Sequence, residues 1–277
     1  MDKPAGPTSH DVVARVRRVR GLRAVGHTGT LDPFATGLLV VLLGRATRLA
    51  RFVEPLTKTY RATARLGVRT DTDDGTGQVT ATVEPDRWPA EAAVRDALMS
   101  LTGEQTQVPP AFSAKRVAGR RSHQLARVGR AVALAPAQVT VHQVECLTWA
   151  PPWLEFRTTV GAGTYVRAMA RDLGERLGLG GHLTALRRER IGPFTVDDAV
   201  PLDTLTPETP LISPRALLAH LPEVELSAAE ARDVGHGRSV RRAEGTGLVR
   251  LVVAGELVAV GQAAADGWHP IVVLEGA

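Results

Sequence analysis

Asp32 is the acidic residue of this sequence that is best placed to do chemistry. It lies in a glycine-rich stretch, VGHTGTLDPFATGLL, that spans residues 25–39 and leads into an apolar run at residues 38–43 that predicts a buried element. Glycines and the proline after Asp32 favour a turn, and a carboxylate on a loop held by a rigid scaffold is typical of a reactive acid. The same pattern also fits a structural role, in which Asp32 caps a helix that begins at Pro33.

Two predicted elements carry further candidate side chains. Residues 58–68 and 153–160 alternate between apolar and polar positions, which predicts two half-buried strands and places Tyr60 on an apolar face. A helix is predicted after Gly163, and Arg167 lies in its first turn beside the apolar stripe. By spacing alone, Tyr60 fits a core residue better than a functional one, and Arg167 fits a surface arginine as well as a functional one.

The charge distribution indicates a polyanionic partner. The formal net charge is +5 and the pI is near 10.1, and no acidic residue occurs between Glu104 and Glu145. Aromatic residues make up only 4% of the chain, which argues against a base-stacking platform for generic single strands. The cations of this acid-free window are Lys115, Arg116, Arg120, Arg121, Arg127 and Arg130.

Several other classes of site are excluded. Cys146 is the only cysteine, so neither an intrachain disulfide nor a cysteine-based zinc site is possible. The acidic cluster Asp71, Asp73 and Asp74 lacks the glutamate that closes a calcium loop, so we interpret it as a turn without metal. No apolar run approaches the roughly 20 residues of a membrane span and no signal pattern is present, so we expect a cytoplasmic protein without membrane contact.

The C-terminal part differs from the rest. Three prolines between residues 206 and 214 mark a boundary, and short apolar strands are predicted beyond it at residues 249–253, 257–260 and 271–274, separated by glycines. These strands predict a small β-barrel.

The stretch around Asp32 closely resembles the catalytic motif of the TruB family, the bacterial tRNA pseudouridine-55 synthases. Four further blocks match that family in the expected order, so that the resemblance spans nearly the whole chain. They are DKPAGPTS at residues 2–9, KTYRA at 58–62, SAK to glycine at 113–119, and GTYVR at 163–167.

The resemblance implies a reaction and a set of roles. Asp32 would be the nucleophile, Arg167 its ion-pair partner, Tyr60 the residue against the target base, Leu186 a wall of the base pocket, and His27 the residue that fills the gap left by the flipped base. The reaction would isomerise uridine-55 in the T-arm loop of tRNA to pseudouridine by base flipping, without cofactor or metal. The other residues expected to bind substrate are Lys3, Gly26, Thr28 and Tyr165.

The resemblance also implies the architecture. We expect an α+β fold with a mixed, mainly antiparallel central sheet and flanking helices, the pseudouridine synthase fold, followed by a small PUA-like β-barrel. Residues 1–210 would form the catalytic domain, with an RNA-binding thumb insertion at about 109–135 that contacts phosphates through the basic window. Residues 211–277 would form the RNA-binding module, and the protein would act as a monomer on the T-arm stem-loop. His123 stands where the family usually has tyrosine, so some packing against RNA differs here.

Two other functions remain open at this point. A noncatalytic RNA-binding protein would use only the basic window and the C-terminal module. A nucleoside-hydrolysing glycosidase also needs an acid near a glycosidic bond, but such enzymes usually use paired carboxylates or a metal, and the sequence shows no convincing second carboxylate near Asp32. The sequence also leaves open whether Asp32 attacks the sugar C1′ or the base C6.

Overall fold

The structure is a computed structural model, and it describes residues 1–112, 134–241, 245–265 and 267–274. Of residues 113–133 it describes only the backbone of Arg116–Val117 and Arg120–Arg121. The chain forms two compact units. The first unit comprises residues 1–8, 31–38 and 55–201, and the second comprises residues 9–30, 39–54 and 202–277.

The strands follow one another along the chain as β1 Asp2–Lys3, β2 Val25–His27, β3 Thr36–Leu38, β4 Val41–Leu43, β5 Lys58–Leu66, β6 Val68–Thr70, β7 Val79–Thr82, β8 Gly103–Gln107, β9 Arg116–Val117, β10 Arg120–Arg121, β11 Ala137–Ala150, β12 Trp153–Val160, β13 Gly181–Ile191, β14 Phe194–Thr195, β15 Glu223–Glu225, β16 Leu248–Val253, β17 Glu256–Ala264 and β18 Gly267–Val273. The α-helices are α1 Ser9–Arg20, α2 Ala50–Val53, α3 Glu91–Met99, α4 Val166–Arg176, α5 Pro214–Leu217 and α6 Ala228–Gly235. Gly44–Leu49 and Val196–Asp198 form 3-10 helices.

The first unit is built on an eight-stranded mixed sheet. Its strand order is β1-β3-β13-β5-β12-β11-β8, and β14 pairs with β13. The pairing of β13 with β3 is parallel and the other pairings are antiparallel. The expected α+β fold with a mixed, mainly antiparallel central sheet is therefore confirmed.

The alternating residues form the centre of this sheet. Strand β5 alternates strictly between buried and more exposed positions, because one face packs on the apolar core and the other faces solvent. The predicted strand at 58–68 is divided, since β5 ends at Leu66 and Val68–Thr70 pairs with β7 in a separate two-stranded sheet. Gly67, with a φ of +84°, forms the break. The strand predicted at 153–160 has the observed bounds of β12.

Helix α4 covers the buried face of this sheet. Met169 and Leu173 of the helix belong to the same apolar cluster as Phe156 of β12 and Leu183 of β13. The helix was predicted after Gly163, and it begins at Val166, so Arg167 is its second residue. The core thus fixes the part of α4 that carries Arg167.

The second unit contains a small four-stranded sheet in the order β15-β16-β17-β18. The strands predicted at 249–253 and 257–260 lie within β16 and β17, and the one predicted at 271–274 corresponds to β18, which begins and ends earlier. Helix α6 packs on this sheet, and among the described residues the strand pairing is an open path rather than a closed barrel. The small C-terminal sheet is confirmed in this form.

The apolar run at residues 38–43 does not form one element. Leu38 ends β3 and pairs with Asp2 in the first unit, whereas Val41–Leu43 forms β4 and pairs with β2 in the second unit. No helix among the described residues is long and apolar enough to span a bilayer.

Candidate active site

Asp32 lies in a tight turn and not at the start of a helix. The backbone N–H of Ala35 donates to the carbonyl of Asp32 at 3.1 Å, and the chain then enters β3 at Thr36. The alternative in which Asp32 caps a helix beginning at Pro33 is therefore wrong, because the residues that would form it turn directly into a strand. Leu31 and Ala35 are buried on either side, so the turn is anchored while the carboxylate remains 33% exposed.

The side chain of Lys3 binds the backbone of this turn. Its side chain is fully buried, and its ammonium group donates to the carbonyls of Pro4 at 2.8 Å, Pro33 at 3.2 Å and Ala35 at 2.7 Å. Two of these carbonyls belong to Pro33 and Ala35, which follow Asp32, so the bonds fix the backbone next to the carboxylate. Lys3 thus contacts the turn that carries Asp32, and the expected contact of Lys3 with substrate stays a prediction.

Gly37 allows the strand after the turn to approach β13 closely. A Cβ atom at Gly37 would lie 2.3 Å from the carbonyl oxygen of Arg188, and Gly37 has a φ of +104°. Any larger residue would push β3 away from its parallel neighbour. The glycine of the motif thus sets the distance between the Asp32 turn and the sheet.

Arg167 faces Asp32 from the first turn of α4. Its Nε lies 2.9 Å from Oδ2 of Asp32, and its Nη2 donates to Oδ1 at 3.1 Å. The guanidinium contacts both oxygens of one carboxylate, which fixes the orientation of the carboxylate as well as its charge. The arginine side chain is only 4% exposed, so this ion pair has one buried member and one accessible member.

Asp74 is a second carboxylate on the same guanidinium, and the sequence reasoning missed it. Its Oδ2 lies 3.2 Å from Nη1 of Arg167, and its side chain is buried. Its Oδ1 accepts bonds from the hydroxyl of Thr72 at 2.8 Å and from the hydroxyl and N–H of Thr76. The expectation that no second carboxylate lies near Asp32 is corrected, because Arg167 joins the two.

The turn that carries Asp74 is fixed against β13. The N–H of Gly75 donates to the carbonyl of Leu183, and the N–H of Leu183 donates to the carbonyl of Asp73. The cluster of three aspartates is a turn, as expected, but only one of them reaches Arg167. Among the described residues, no group of three or more His, Cys, Asp or Glu side chains is placed to hold a metal ion.

Gln107 positions the residue that precedes α4. Its side chain accepts a bond from the N–H of Tyr165 at 2.8 Å and donates to the carbonyl of Tyr165 at 3.1 Å. Gln107 is buried at the end of β8, so the edge of the sheet holds the start of the helix that carries Arg167. The sequence reasoning also missed this residue, which shows no motif of its own.

Opposing electrostatic effects act on the pKa of the Asp32 carboxyl. Burial raises the pKa of the Asp32 carboxyl above its ordinary value of 3.8, and the negative charge of Asp74 raises it further. The positive charges of Arg167 and Lys3 lower the pKa and so oppose both effects. Burial and Asp74 thus favour the protonated form of Asp32, whereas the charges of Arg167 and Lys3 favour its ionised form.

Apolar side chains line the same region of the first unit. Tyr60 and Leu186 are nearly buried, and they belong to the apolar cluster that also contains Leu31 and Ala35. Strands β5 and β13 pair directly, with Leu186 opposite Ala62. Six of the expected site residues therefore lie in the first unit, where Arg167 contacts Asp32 and Lys3 contacts the turn that carries it. They are Lys3, Asp32, Tyr60, Tyr165, Arg167 and Leu186.

Three expected substrate-binding residues belong to the second unit. Gly26 and His27 lie in β2, which pairs with β4, and Thr28 follows them and is buried. Nδ1 of His27 accepts a bond from the N–H of Gly29 at 3.3 Å, and its ring meets that of His10 edge to face at 5.5 Å. Their expected contact with substrate stays a prediction.

Most of the basic window lies outside the described residues. Lys115, Arg127 and Arg130 lie outside the described residues, and Arg116, Arg120 and Arg121 are described by their backbone alone. That backbone forms an antiparallel pair in which Arg120 lies opposite Val117. The phosphate contacts expected of all six cations stay predictions.

Comparisons with known proteins agree along the whole chain. Residues 17–166 match the model of the TruB family pseudouridylate synthase N-terminal domain. Residues 167–213 match the tRNA pseudouridylate synthase B C-terminal domain, and residues 221–275 match the tRNA pseudouridine synthase II C-terminal domain.

Curated relatives and solved structures give the same result. The chain is 46% identical over 290 residues to tRNA pseudouridine synthase B of Thermobifida fusca, covering 100% of this chain and 97% of the relative. It is 42% identical over 274 residues to tRNA pseudouridine synthase B of Aromatoleum aromaticum, covering 96% and 88%. A structure of an H/ACA RNP bound to a substrate RNA containing 2′-deoxyuridine aligns with a TM-score of 0.71 at 25% identity, over 99% of this chain and 83% of that one. The chain therefore belongs to the TruB family of pseudouridylate synthases.

Proposed function

We propose that this protein converts uridine-55 in the T-arm loop of tRNA to pseudouridine, with Asp32 as the nucleophile. The observation that carries the proposal is the ion pair of Arg167, whose buried guanidinium contacts both oxygens of a carboxylate that is still 33% exposed. Family membership supports the same activity, because the relatives named above are tRNA pseudouridine synthases.

The reaction needs a carboxylate that is ionised and accessible. The N-glycosidic bond between N1 and C1′ of the uridine breaks, the uracil turns, and a carbon–carbon bond joins its C5 to C1′ of the ribose. The base loses one proton from C5 and gains one at N1, so the product is an isomer of the substrate. Asp32 assists by attack on either C1′ of the sugar or C6 of the base. Burial favours protonation of a carboxyl group, whereas the positive charges of Arg167 and Lys3 favour the ionised form of Asp32, which is the nucleophilic form.

The residues around Asp32 fit the other needs of the reaction. The target nucleotide must leave its stack, and its base would lie against Tyr60 and Leu186 on the apolar side of the site. His27 would occupy the gap that the base leaves. Lys3 would act through the backbone of the Asp32 turn.

We further propose that the enzyme acts as a monomer in the cytoplasm. Residues 1–210 would form the catalytic domain, and residues 211–277, with their small sheet, would add RNA contacts. The acid-free window between Glu104 and Glu145 would bind the phosphates of the T-arm. The single cysteine supports a reducing compartment.

The test is to map pseudouridine in a T-arm transcript after incubation with purified wild-type protein, Asp32→Asn and a control variant, Asp96→Asn. Asp96 is an exposed aspartate of α3, so its change matches the loss of charge away from the site. We expect wild type and Asp96→Asn to modify one uridine, and Asp32→Asn to bind the RNA without modifying it.

Two outcomes contradict the proposal. Wild-type protein that binds RNA but never converts uridine would be a noncatalytic RNA-binding protein. Release of free uracil without pseudouridine would identify a glycosidase.

A further inference from the structure

Helix α4 holds a nearby chain segment through two arginines that lie one turn apart. Nη2 of Arg167 donates to the carbonyl of Phe112 at 2.8 Å, and Nη2 of Arg171 donates to the carbonyl of Val108 at 2.8 Å. Residues 108–112 therefore lie along the helix, attached at both ends. This segment leads directly into residues 113–133, which contain the basic window.

Arg171 is itself held by two carboxylates. Its Nη1 lies 2.8 Å from Oδ2 of Asp73, and its Nη2 lies 2.8 Å from Oδ1 of Asp172. Its side chain is 19% exposed, and that of Asp73 is 13% exposed, so the pair is largely shielded from solvent. The guanidinium is thus fixed before it reaches the carbonyl of Val108.

The two arginines use adjacent residues of one turn. Asp74 contacts Arg167, and Asp73 contacts Arg171. Asp73 has a φ of +58°, in the left-handed region that aspartate adopts more readily than most residues. The turn at residues 72–76 therefore sets the positions of both arginines at once, and through them the positions of both ends of the segment 108–112.

We propose that Arg171 is a positioning residue for RNA binding, which holds the segment 108–112, the part of the chain that leads into the basic window, beside the Asp32–Arg167 pair. This inference rests on the proposed function only in that the basic window binds RNA. A segment fixed in advance loses less conformational freedom when RNA binds, so the contact contributes to affinity rather than to the chemical step. The two prolines of the segment, Pro109 and Pro110, restrict its backbone further.

The helix offers a matched control in Arg176. Its Nη1 donates to the carbonyl of Ser100 at 3.0 Å, and its Nη2 donates to Oε1 of Gln105 at 3.4 Å. Arg176 is thus a hydrogen-bonded arginine of the same helix whose partners lie outside the segment 108–112. Replacement of either arginine by methionine removes the same charge.

The experiment measures affinity for a T-arm transcript with wild type, Arg171→Met, Arg171→Lys and Arg176→Met. We expect Arg171→Met to raise Kd about tenfold, Arg171→Lys to raise it less, and Arg176→Met to leave it within about twofold. The single-turnover rate at saturating RNA should stay within about threefold of wild type for all variants. Unfolding midpoints show whether each variant is folded under the binding conditions.

A double-mutant cycle separates positioning from general support of the fold. In an Arg120→Ala, Arg121→Ala background, Arg171→Met should raise Kd by less than it does in wild type, because two of the contacts that it positions are already absent. The inference is overturned if the losses of affinity in the cycle are fully additive. It is also overturned if Arg171→Met and Arg176→Met bind with equal affinity, or if wild type does not bind the transcript. If affinity depends on Arg171 but no pseudouridine forms, the proposed function fails and the inference stands.

Discussion

Asp74 and Arg167 form a buried ion pair in which Oδ2 of the aspartate lies 3.2 Å from Nη1 of the arginine. Their side chains are 6% and 4% exposed, whereas Asp32, on the other side of the same guanidinium, is 33% exposed. Asp74 is also enclosed by the hydroxyl groups of Thr72 and Thr76. The arrangement separates the two carboxylates by role, because one fixes the guanidinium and the other is left accessible to a ligand.

Substitution of Arg167 should impair turnover more than RNA binding. Arg167→Lys keeps the charge but loses the planar contact with both oxygens of Asp32, and we expect a fall of at least about tenfold in single-turnover rate. Arg167→Met should cost about 10²- to 10³-fold, since Asp32 then lacks the cation that favours its ionised form. Arg176→Lys and Arg176→Met on the same helix serve as controls. Near-normal rates for Arg167→Met would contradict a catalytic role for the ion pair.

Substitution of Asp74 should act on the rate through Arg167. Asp74→Asn keeps the shape and most hydrogen bonds of the side chain but removes the charge opposite Nη1, so the guanidinium loses its fixed partner. We expect a single-turnover rate about tenfold lower and a smaller loss of RNA affinity, because Arg167 also holds the carbonyl of Phe112. Asp71→Asn is the matched control, because Asp71 belongs to the same cluster of three aspartates and its Oδ1 accepts a bond from the N–H of Gln78 rather than from Arg167. Equal rates for the two variants would contradict this role.

The parts of the site differ in how far the sequence could predict them. Asp32 and Arg167 are 135 positions apart, and only the family motifs, not spacing, indicated that they meet. Asp74 was read as one of three turn aspartates. The threonines two positions before and after it were an available signal, because their hydroxyl groups suit a buried carboxylate, but the partner on α4 depends on tertiary packing.

The fold was more predictable where one face of an element is buried. Strands β5 and β12 alternate because each lies between core and solvent, so their pattern was readable from the sequence. The division of residues 38–43 between two sheets was not readable, since an apolar run gives no information about its partners. The parallel contact of β3 with β13 depends on Gly37, whose close approach to Arg188 appears only in three dimensions.

The rate should depend on pH through Asp32. Burial raises its pKa above 3.8, and the proposed nucleophilic attack needs the ionised form, so the single-turnover rate should rise with pH as the carboxyl loses its proton. The negative charge of Asp74 raises that pKa, so Asp74→Asn should move the acid limb of the pH–rate profile, the part where the rate falls with falling pH, to lower pH. The measurement is the single-turnover rate on a T-arm transcript from about pH 4 to 7. A limb that moves to higher pH in Asp74→Asn would contradict the assigned electrostatics.

The basic window should determine how affinity depends on salt. If Arg120 and Arg121 contact phosphates, Arg120→Ala with Arg121→Ala should weaken binding and lower the slope of log Kd against log salt by about 0.7 to 0.9 per lost contact. Arg61→Ala with Arg157→Ala is the control, because these exposed arginines already pair with Glu155 and Glu189 on the central sheet. If Arg120→Ala with Arg121→Ala leaves both the affinity and the salt slope unchanged, these two arginines of the basic window do not contact RNA phosphates.

Lys3 should affect both the stability of the Asp32 turn and the ionisation of Asp32. Its ammonium group donates to the carbonyls of Pro33 and Ala35, and the carbonyl of Pro33 also accepts from the N–H of Gly6. Lys3→Met should therefore remove the donor to the buried carbonyl of Ala35 and lower the free energy of unfolding by about 1–3 kcal/mol. The positive charge of Lys3 lowers the pKa of Asp32, so its removal should move the acid limb of the rate to higher pH, opposite to the shift in Asp74→Asn. Lys58→Met, a change at another buried lysine of the same unit, should leave the limb in place. Urea unfolding tests the effect on stability, and the pH–rate profile tests the effect on ionisation. If the acid limb of the profile stays in place or moves to lower pH in Lys3→Met, then Lys3 supports the backbone without lowering the pKa of Asp32.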